Sequence, residues 1–379
     1  MMTTKHKAAG HNTAKHNADQ NRRQRMSALL CLCAVVLSTA VLGGCVDQHP
    51  QKSDGEQTES VLYEETDSET YADSVEETEE TGTLTGNTVL EITDKQELAD
   101  VRASAEKIRK LGREPRIIAT SPATADICDR LDLDLVGVCS SSVSSIPQRY
   151  ADVTQVGAAM SPDMEIVSSL DPDWILSPAS LQSDLQPKYE AIGTDWAFLN
   201  LKSVQGMYRS IQELGILFDR EEKADELVME FLEFYDDYQK KNEGKKHPKV
   251  LILMGLPGSY IIATPNSYVG SLVELAGGEN VYSDTDEEFL TVNTEDMKTK
   301  EPDVILRAAH ALPDQVIEMF NEDFKTNDIW QHFEAVKKGR VYDLSYDKFG
   351  MSATFAYPEA LDELQPLLYP EDGEAGNDN

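Results

Sequence analysis

Two pairs of acidic residues repeat with the same spacing and mark positions where chemistry could take place. Glu165 precedes Asp173 by eight residues, and Glu295 precedes Asp303 by the same interval, 130 residues further along the chain. In both copies a Pro comes directly before the Asp, and an apolar segment follows it. The repeat predicts two related α/β lobes, each with a short helix that carries the Glu and a buried strand after Pro-Asp.

A candidate iron ligand accompanies each copy of this repeat. Met160 lies just before the first copy, and His310 lies just after the second. Thioether and imidazole groups are both axial ligands that haem iron accepts. Met160 stands among Gly, Ala, Ser and Pro rather than on a helical stripe, although a Met more often fills a core. His310 alone among the seven His follows the repeated strand; a loop His bonded to backbone is the simpler alternative.

The elements that must position these residues alternate between apolar strands and amphipathic helices from about residue 115 to residue 370. This alternation predicts parallel sheets with helices on both faces. The longest helical pattern covers 221–241 and should measure about 30 Å, enough to bridge two lobes. We expect a first lobe over 113–219, a linking helix over 220–243 and a second lobe over 244–371.

The amino terminus has the features of an export signal. Arg22, Arg23 and Arg25 precede an apolar run over 26–42, which is short for a bilayer-spanning helix. The sequence Leu-Gly-Gly-Cys at 42–45 resembles a lipobox, so we expect a signal peptide over 1–44 and lipidation of Cys45. An ordinary cleavable signal is the alternative. Residues 45–112 are rich in acidic residues, Ser and Thr, and we expect a disordered tether there and a disordered tail over 372–379.

Charge and motif content exclude several classes of protein. The formal charge is −34, and removal of residues 1–44, with six basic residues and one acidic residue, would bring it to −39. Such a charge argues against nucleic-acid binding. The sequence contains no Gly-x-Ser-x-Gly elbow, no HExxH helix and no P-loop, so we do not expect an enzyme. The scarcity of His argues against an importer of bare zinc or manganese.

Cys128 and Cys139 are expected to be buried thiols, with a disulfide as the alternative.

Several segments together carry a resemblance to a known family. The chain resembles the substrate-binding lipoproteins of ABC importers, and among them the haem-binding lipoproteins of the iron-regulated surface determinant system of Gram-positive bacteria. The matching segments are 131–137, 247–255, 257–260, 276–281, 327–330, 332–333 and 341–344. The resemblance covers about residues 116–369. It implies the class III substrate-binding fold, with two Rossmann-like α/β lobes joined by one long rigid helix.

The resemblance also implies roles for individual residues. In this family a Met of the first lobe and a His of the second bind haem iron from opposite faces, which corresponds here to Met160 and His310. One Glu in each lobe docks onto arginines of the permease, which corresponds to Glu165 and Glu295; helix N-terminal acids without that role are the alternative. For the haem propionates we expect contacts with Ser121, Ser140 and Ser141, although ordinary loop polarity explains these Ser equally well.

The resemblance thus implies a lipid-anchored protein at the outer face of the cytoplasmic membrane, as on a Gram-positive surface. Its transported ligand would be haem b, and its partner would be the ABC permease that imports it. Surface haem-donor proteins could supply the ligand. The alternative is a binding protein for an iron siderophore or cobalamin, neither of which would need Met160.

Overall fold

The structure is a computed structural model that describes residues 95–142 and 144–370. The expected signal peptide, Cys45, most of the expected tether and the tail over 372–379 lie outside these residues. The described chain folds into two α/β lobes, each built on one mixed sheet. The two-lobed α/β fold expected from the sequence is confirmed.

The first lobe has a six-stranded sheet with the order β4-β3-β2-β1-β5-β6, in which only the β3–β4 pair is antiparallel. Its strands are β1 (Ile117–Ala119), β2 (Leu135–Ser140), β3 (Thr154–Ala158), β4 (Ser161–Pro162), β5 (Trp174–Pro178) and β6 (Asp195–Leu199). Its helices are α1 (Lys95–Arg109), α2 (Pro122–Arg130), α3 (Met164–Ser169), α4 (Gln182–Ile192) and α5 (Val204–Phe218). The apolar segments of β1 and β5 are wholly buried, as expected of central parallel strands.

The second lobe has a sheet with the order β10-β8-β7-β11-β12, and β9 also pairs with β7. Its strands are β7 (Lys249–Leu256), β8 (Ser259–Ala263), β9 (Glu279–Asn280), β10 (Phe289–Leu290), β11 (Val304–Ala309) and β12 (Val341–Asp343). Its helices are α7 (Tyr268–Leu275), α8 (Thr294–Thr299), α9 (Pro313–Thr326), α10 (Glu334–Lys337) and α11 (Tyr357–Leu368). The expected parallel arrangement is therefore incomplete here, because β7–β8 and β8–β10 are antiparallel. A tight Pro-Gly turn joins β7 directly to β8 and leaves no room for a crossover helix.

The helix α6 (Glu221–Asn242) joins the two lobes. Phe231 of α6 stacks on Tyr208 of the first lobe with ring centroids 4.7 Å apart. The same ring meets Tyr357 of the second lobe edge-on at 5.6 Å. The hydroxyl groups of Tyr208 and Tyr357 are also hydrogen-bonded at 3.1 Å. Aromatic contacts thus tie α6 to a helix of each lobe.

Residues 95–109 do not belong to a disordered tether, so the expected tether boundary at residue 112 is corrected. They form α1, which buries Ala105 and Ile108 and packs on α5 of the first lobe. An ion pair joins Lys107 to Asp195, at the first residue of β6. The apolar face of this helix is too narrow for the sequence alone to show that it is docked.

The two Cys of the described residues are free thiols in the first lobe. Cys128 of α2 and Cys139 of β2 are both buried and not joined by a disulfide. Burial raises the pKa of Cys139 to about 11 and raises the pKa of Cys128 as well. Both groups therefore stay protonated at neutral pH and behave as small core residues, as the sequence predicted.

Candidate ligand-binding site

The duplicated sequence forms the same structure in both lobes. The carboxylate of Asp173 accepts a hydrogen bond from the Arg116 amide at 2.7 Å, and Asp303 accepts one from the Lys249 amide at 3.0 Å. In return, the amide of Asp173 donates to the carbonyl oxygen of Arg116, and the amide of Asp303 donates to that of Lys249, both at 2.8 Å. Asp171 and Glu301, each just before the Pro, both adopt positive φ. Each copy therefore fixes the start of a buried strand against the neighbouring strand.

The repeated structure around Asp173 and Asp303 determines where the two candidate docking acids lie. Glu165 is in the first turn of α3 and Glu295 is in the first turn of α8, and both side chains are exposed. Asp163 caps α3 and Asn293 caps α8. Because each helix runs back to the start of a central strand, its first turn lies towards the carboxyl-terminal edge of the sheet. The two Glu thus occupy equivalent positions on the two lobes.

Met160 lies at the tip of a β-hairpin at the carboxyl-terminal edge of the first sheet. It is the second residue of the two-residue turn between β3 and β4, where Ala158 pairs with Ser161. Its side chain is 74% exposed. Gly157 precedes the turn with φ of +97°, and a Cβ there would lie 3.2 Å from the Asp163 amide nitrogen. Only Gly adopts this conformation without strain, so the hairpin holds an apolar thioether out in solvent.

His310 lies at the equivalent edge of the second sheet. It directly follows β11, and its backbone amide donates to the carbonyl oxygen of Gly255 on β7 at 2.9 Å. A side chain at Gly255 would clash with Val316 and Phe320 of α9, with the nearest atom at 2.3 Å. The close approach of α9 therefore fixes the backbone at the end of β7 and β11. The imidazole of His310 is exposed.

The other His of the described chain are placed differently. The Nδ1 atom of His247 is 2.7 Å from the carbonyl oxygen of Gly277, and His332 ends a 3-10 turn after α9. Within residues 95–142 and 144–370, no three His, Cys, Asp or Glu side chains come together as a metal site. Of these three His, His310 is thus the one that directly follows β11.

The three candidate propionate contacts differ in their surroundings. Ser121 is 5% exposed and caps α2, where its hydroxyl and amide both bond to Thr124. Both groups thus already have a partner inside the protein. Ser140 ends β2 half-buried and pairs with Ala158 of the Met160 hairpin. Ser141 is exposed, and its hydroxyl accepts from the Ser144 amide at 3.0 Å.

Contacts between the lobes lie at the carboxyl-terminal edge of the first sheet. The amide of Ala353 in the second lobe donates to the carbonyl oxygen of Leu201, which comes just after β6, at 2.8 Å. Lys202 forms an ion pair with Glu288 of the second lobe at 2.6 Å. These contacts bring the second lobe to the edge where the Met160 hairpin lies. They were not expected from the sequence, because neither segment has a recognisable motif.

The comparison with known proteins identifies the family of this chain. A family model described as periplasmic binding protein matches residues 117–347. The chain belongs to the periplasmic binding protein family. Within it, the chain is 41% identical over 270 residues to the high-affinity heme uptake system protein IsdE of Staphylococcus aureus. That match covers 71% of this chain and 92% of the relative.

Solved structures of this family match the fold of this chain. An ABC transporter substrate-binding protein from Listeria monocytogenes is 48% identical with a TM-score of 0.65, and S. aureus IsdE complexed with heme is 41% identical with a TM-score of 0.63. Each match covers 68% of this chain and 100% of the other chain. This periplasmic binding protein is thus a binding protein rather than an enzyme, as the sequence predicted. None of its described helices has the length and apolar character needed to cross a bilayer.

Proposed function

We propose that this protein binds haem between its two lobes and delivers it to an ABC permease from the outer face of the cytoplasmic membrane. The observation that carries the proposal is the pair Met160 and His310. One thioether and one imidazole stand exposed at the carboxyl-terminal sheet edges, one on each lobe. Ligands of open α/β sheets bind at that edge. The similarity to IsdE, whose structure holds heme, supports the choice of ligand.

The two side chains suit the chemistry of haem. Iron has two axial positions, and Met and His together bind it from opposite faces of the porphyrin. Met160 is 74% exposed and would lose part of that exposure where it contacts the ring. Ser140 and Ser141 remain proposed contacts of the propionates, because they follow β2 beside the Met160 hairpin.

The proposed anchoring and docking involve other parts of the chain. Lipidation of Cys45 would hold the protein at the membrane, and the acidic segment before residue 95 would act as a tether. Glu165 and Glu295 would meet arginines of the permease through charge-assisted hydrogen bonds. Their equivalent, exposed positions on the two lobes support this role. Surface haem-donor proteins could load the site.

The experiment that tests the ligand is a haemin titration of residues 46–379, followed by the Soret and visible bands. We expect one-to-one saturable binding with a low-spin spectrum. Met160→Ala and His310→Ala should each weaken binding or convert the spectrum to high spin. Met229→Ala is a matched control because it removes another exposed Met, on the linking helix α6. Both control and wild type should give the same spectrum.

The outcomes separate haem from the other ligands of such importers. Absence of a saturable spectral change in the wild type would refute haem as the ligand and favour an iron siderophore or cobalamin.

Docking is tested by haem-iron uptake in cells. Glu165→Ala and Glu295→Ala should lower uptake without changing the haemin Kd, whereas Glu222→Ala, an exposed acid of α6, should change neither.

A further inference from the structure

Leu312 has an unusual backbone conformation two residues after His310. Its φ of 47° and ψ of 61° lie in the left-handed region. Five described residues other than Gly have positive φ, and the other four are acidic: Asp132, Asp171, Asp219 and Glu301. Short polar side chains tolerate this conformation by local hydrogen bonds, whereas Leu gains no such bond. Leu312 is therefore the strained member of the set.

The side chain of Leu312 is largely exposed to solvent. It is 54% exposed, although it is large and apolar. It also occupies the N-cap position of α9 without a side-chain cap, whereas Ser203 and Ser267 cap α5 and α7 through their hydroxyl groups. Gly or Asn would satisfy this backbone better, and Asn could in addition cap the helix. Neither helix formation nor core packing explains a Leu here.

The surrounding fold holds the residue in place. The carbonyl oxygen of Leu312 accepts from the amides of Gln315 at 3.0 Å and Val316 at 3.1 Å. Val316 is fully buried, and it lies against Gly255 at the end of β7. The backbone at Leu312 therefore cannot relax without moving the first turn of α9. Strain that persists in such a well-determined position is typical of ligand-binding sites.

We propose that Leu312 is a ligand-contact residue, whose side chain covers the porphyrin on the face where His310 binds the iron. The inference rests on the proposed function. Two residues apart, the Cα atoms of His310 and Leu312 are separated by at most about 7 Å. A porphyrin ligated by His310 thus extends over the surface where Leu312 is exposed. The ring face is apolar, so contact with it would remove the exposed part of Leu312 from water.

The size of the expected effect follows from the exposed surface. If the porphyrin covers about half of what Leu312 exposes, the loss of this contact should raise the haemin Kd about fivefold to tenfold. Replacement by Asn should at the same time relieve the strain and cap α9. The ligand-free Leu312→Asn protein should thus melt about 2 °C higher while it binds haemin more weakly.

The test compares three variants of residues 46–379 in haemin titrations and in thermal unfolding without ligand. Leu312→Asn should raise both the Kd and the melting temperature, whereas Leu312→Met should keep a Kd close to that of the wild type, since it retains an apolar side chain. The matched control is Leu111→Asn, at an exposed Leu that follows α1. This control should leave the haemin Kd unchanged.

The outcomes distinguish a failure of the proposed Leu312 contact from a failure of the proposed haem function. An unchanged Kd in Leu312→Asn, with wild-type protein that binds haemin, would overturn the contact and leave the haem function intact. An equal rise of the Kd in Leu312→Met and Leu312→Asn would also overturn it, because an apolar contact should survive in Met. A wild type that does not bind haemin would overturn the proposed function and this contact with it.

Discussion

The helix α1 should make the stability of this protein depend on pH near neutrality. It docks on α5 through a cluster in which Arg209 lies between two carboxylates, with Glu97 at 2.5 Å and Glu213 at 3.5 Å. Burial, together with the hydrogen bond and negative charge of Glu97, raises the pKa of Glu213 to about 7 against the opposing effect of Arg209. Only 29% of the Glu213 side chain is exposed. The docked state thus favours a protonated Glu213 that donates to Glu97.

The sign and magnitude of the effect follow from proton binding in the two states. In the unfolded chain Glu213 should have a pKa of about 4.5. Between that value and about 7 the folded protein holds one more proton than the unfolded chain, so its free energy of unfolding falls as pH rises. A difference of about 2.5 pKa units corresponds to about 3 kcal/mol, which is lost by pH 8 and present below about pH 4.5. Part of the change should appear as local detachment of α1.

The substitution Glu213→Gln tests this reasoning. The amide can still donate to Glu97 but cannot ionise, although it loses the ion pair with Arg209. We expect the variant to be about 1–3 kcal/mol more stable than the wild type at pH 8 and about equal to it at pH 5. The measurement is urea unfolding between pH 5 and pH 8, followed by tryptophan fluorescence. Glu106→Gln, at an exposed acid of α1, is the control and should follow the wild-type curve. Parallel curves of the wild type and Glu213→Gln across this range would refute the argument.

Two further predictions concern the residues that hold the sheet edges. Gly157→Ala should lower the free energy of unfolding by about 1–2 kcal/mol, because it places a Cβ at positive φ against the hairpin backbone; Gly112→Ala, at positive φ in open space, should cost less. Asp173→Ala should cost about 2–3 kcal/mol and Asp303→Ala about 1–2 kcal/mol, since Asp173 also binds the Arg113 guanidinium. Urea unfolding measures all four, and a larger cost for Asp303→Ala than for Asp173→Ala would contradict the second prediction.

The repeated spacing around Glu165 and Glu295 predicted more of the fold than any single element did. It indicated two lobes, and the structure shows why the spacing recurs: each Asp must reach the backbone of a neighbouring strand. Although burial alone would raise the pKa of Asp173, hydrogen bonds from Arg113 and from the Arg116 amide lower it. The short strands β4, β9 and β10 escaped prediction, because two residues carry no measurable periodicity.

The candidate site was only partly visible in the sequence. His310 was a candidate because it directly follows a strongly apolar strand, and Met160 because small residues and Pro surround it. The closed cap at Ser121 could not be foreseen, since a Ser before Pro at a helix start has the same sequence pattern whether its cap is closed or open. Leu312 gave no signal at all: an isolated Leu before Pro has no pattern that shows a positive φ. Backbone conformation of this kind depends on the packing of α9 against Gly255, which is a long-range property.

The symmetry of the two lobes separates the proposed docking role from the proposed ligand role. Glu165 and Glu295 are related by the 130-residue repeat and occupy the same turn of equivalent helices. The same offset relates Met160 to Leu290 of β10, and His310 to Ser180, so the two candidate iron ligands are not repeat equivalents. A permease built from two similar halves would require matched acids on the two lobes. A haem iron that binds one sulfur and one nitrogen instead requires the lobes to differ, and the differences lie in loops that the repeated frame leaves free to vary.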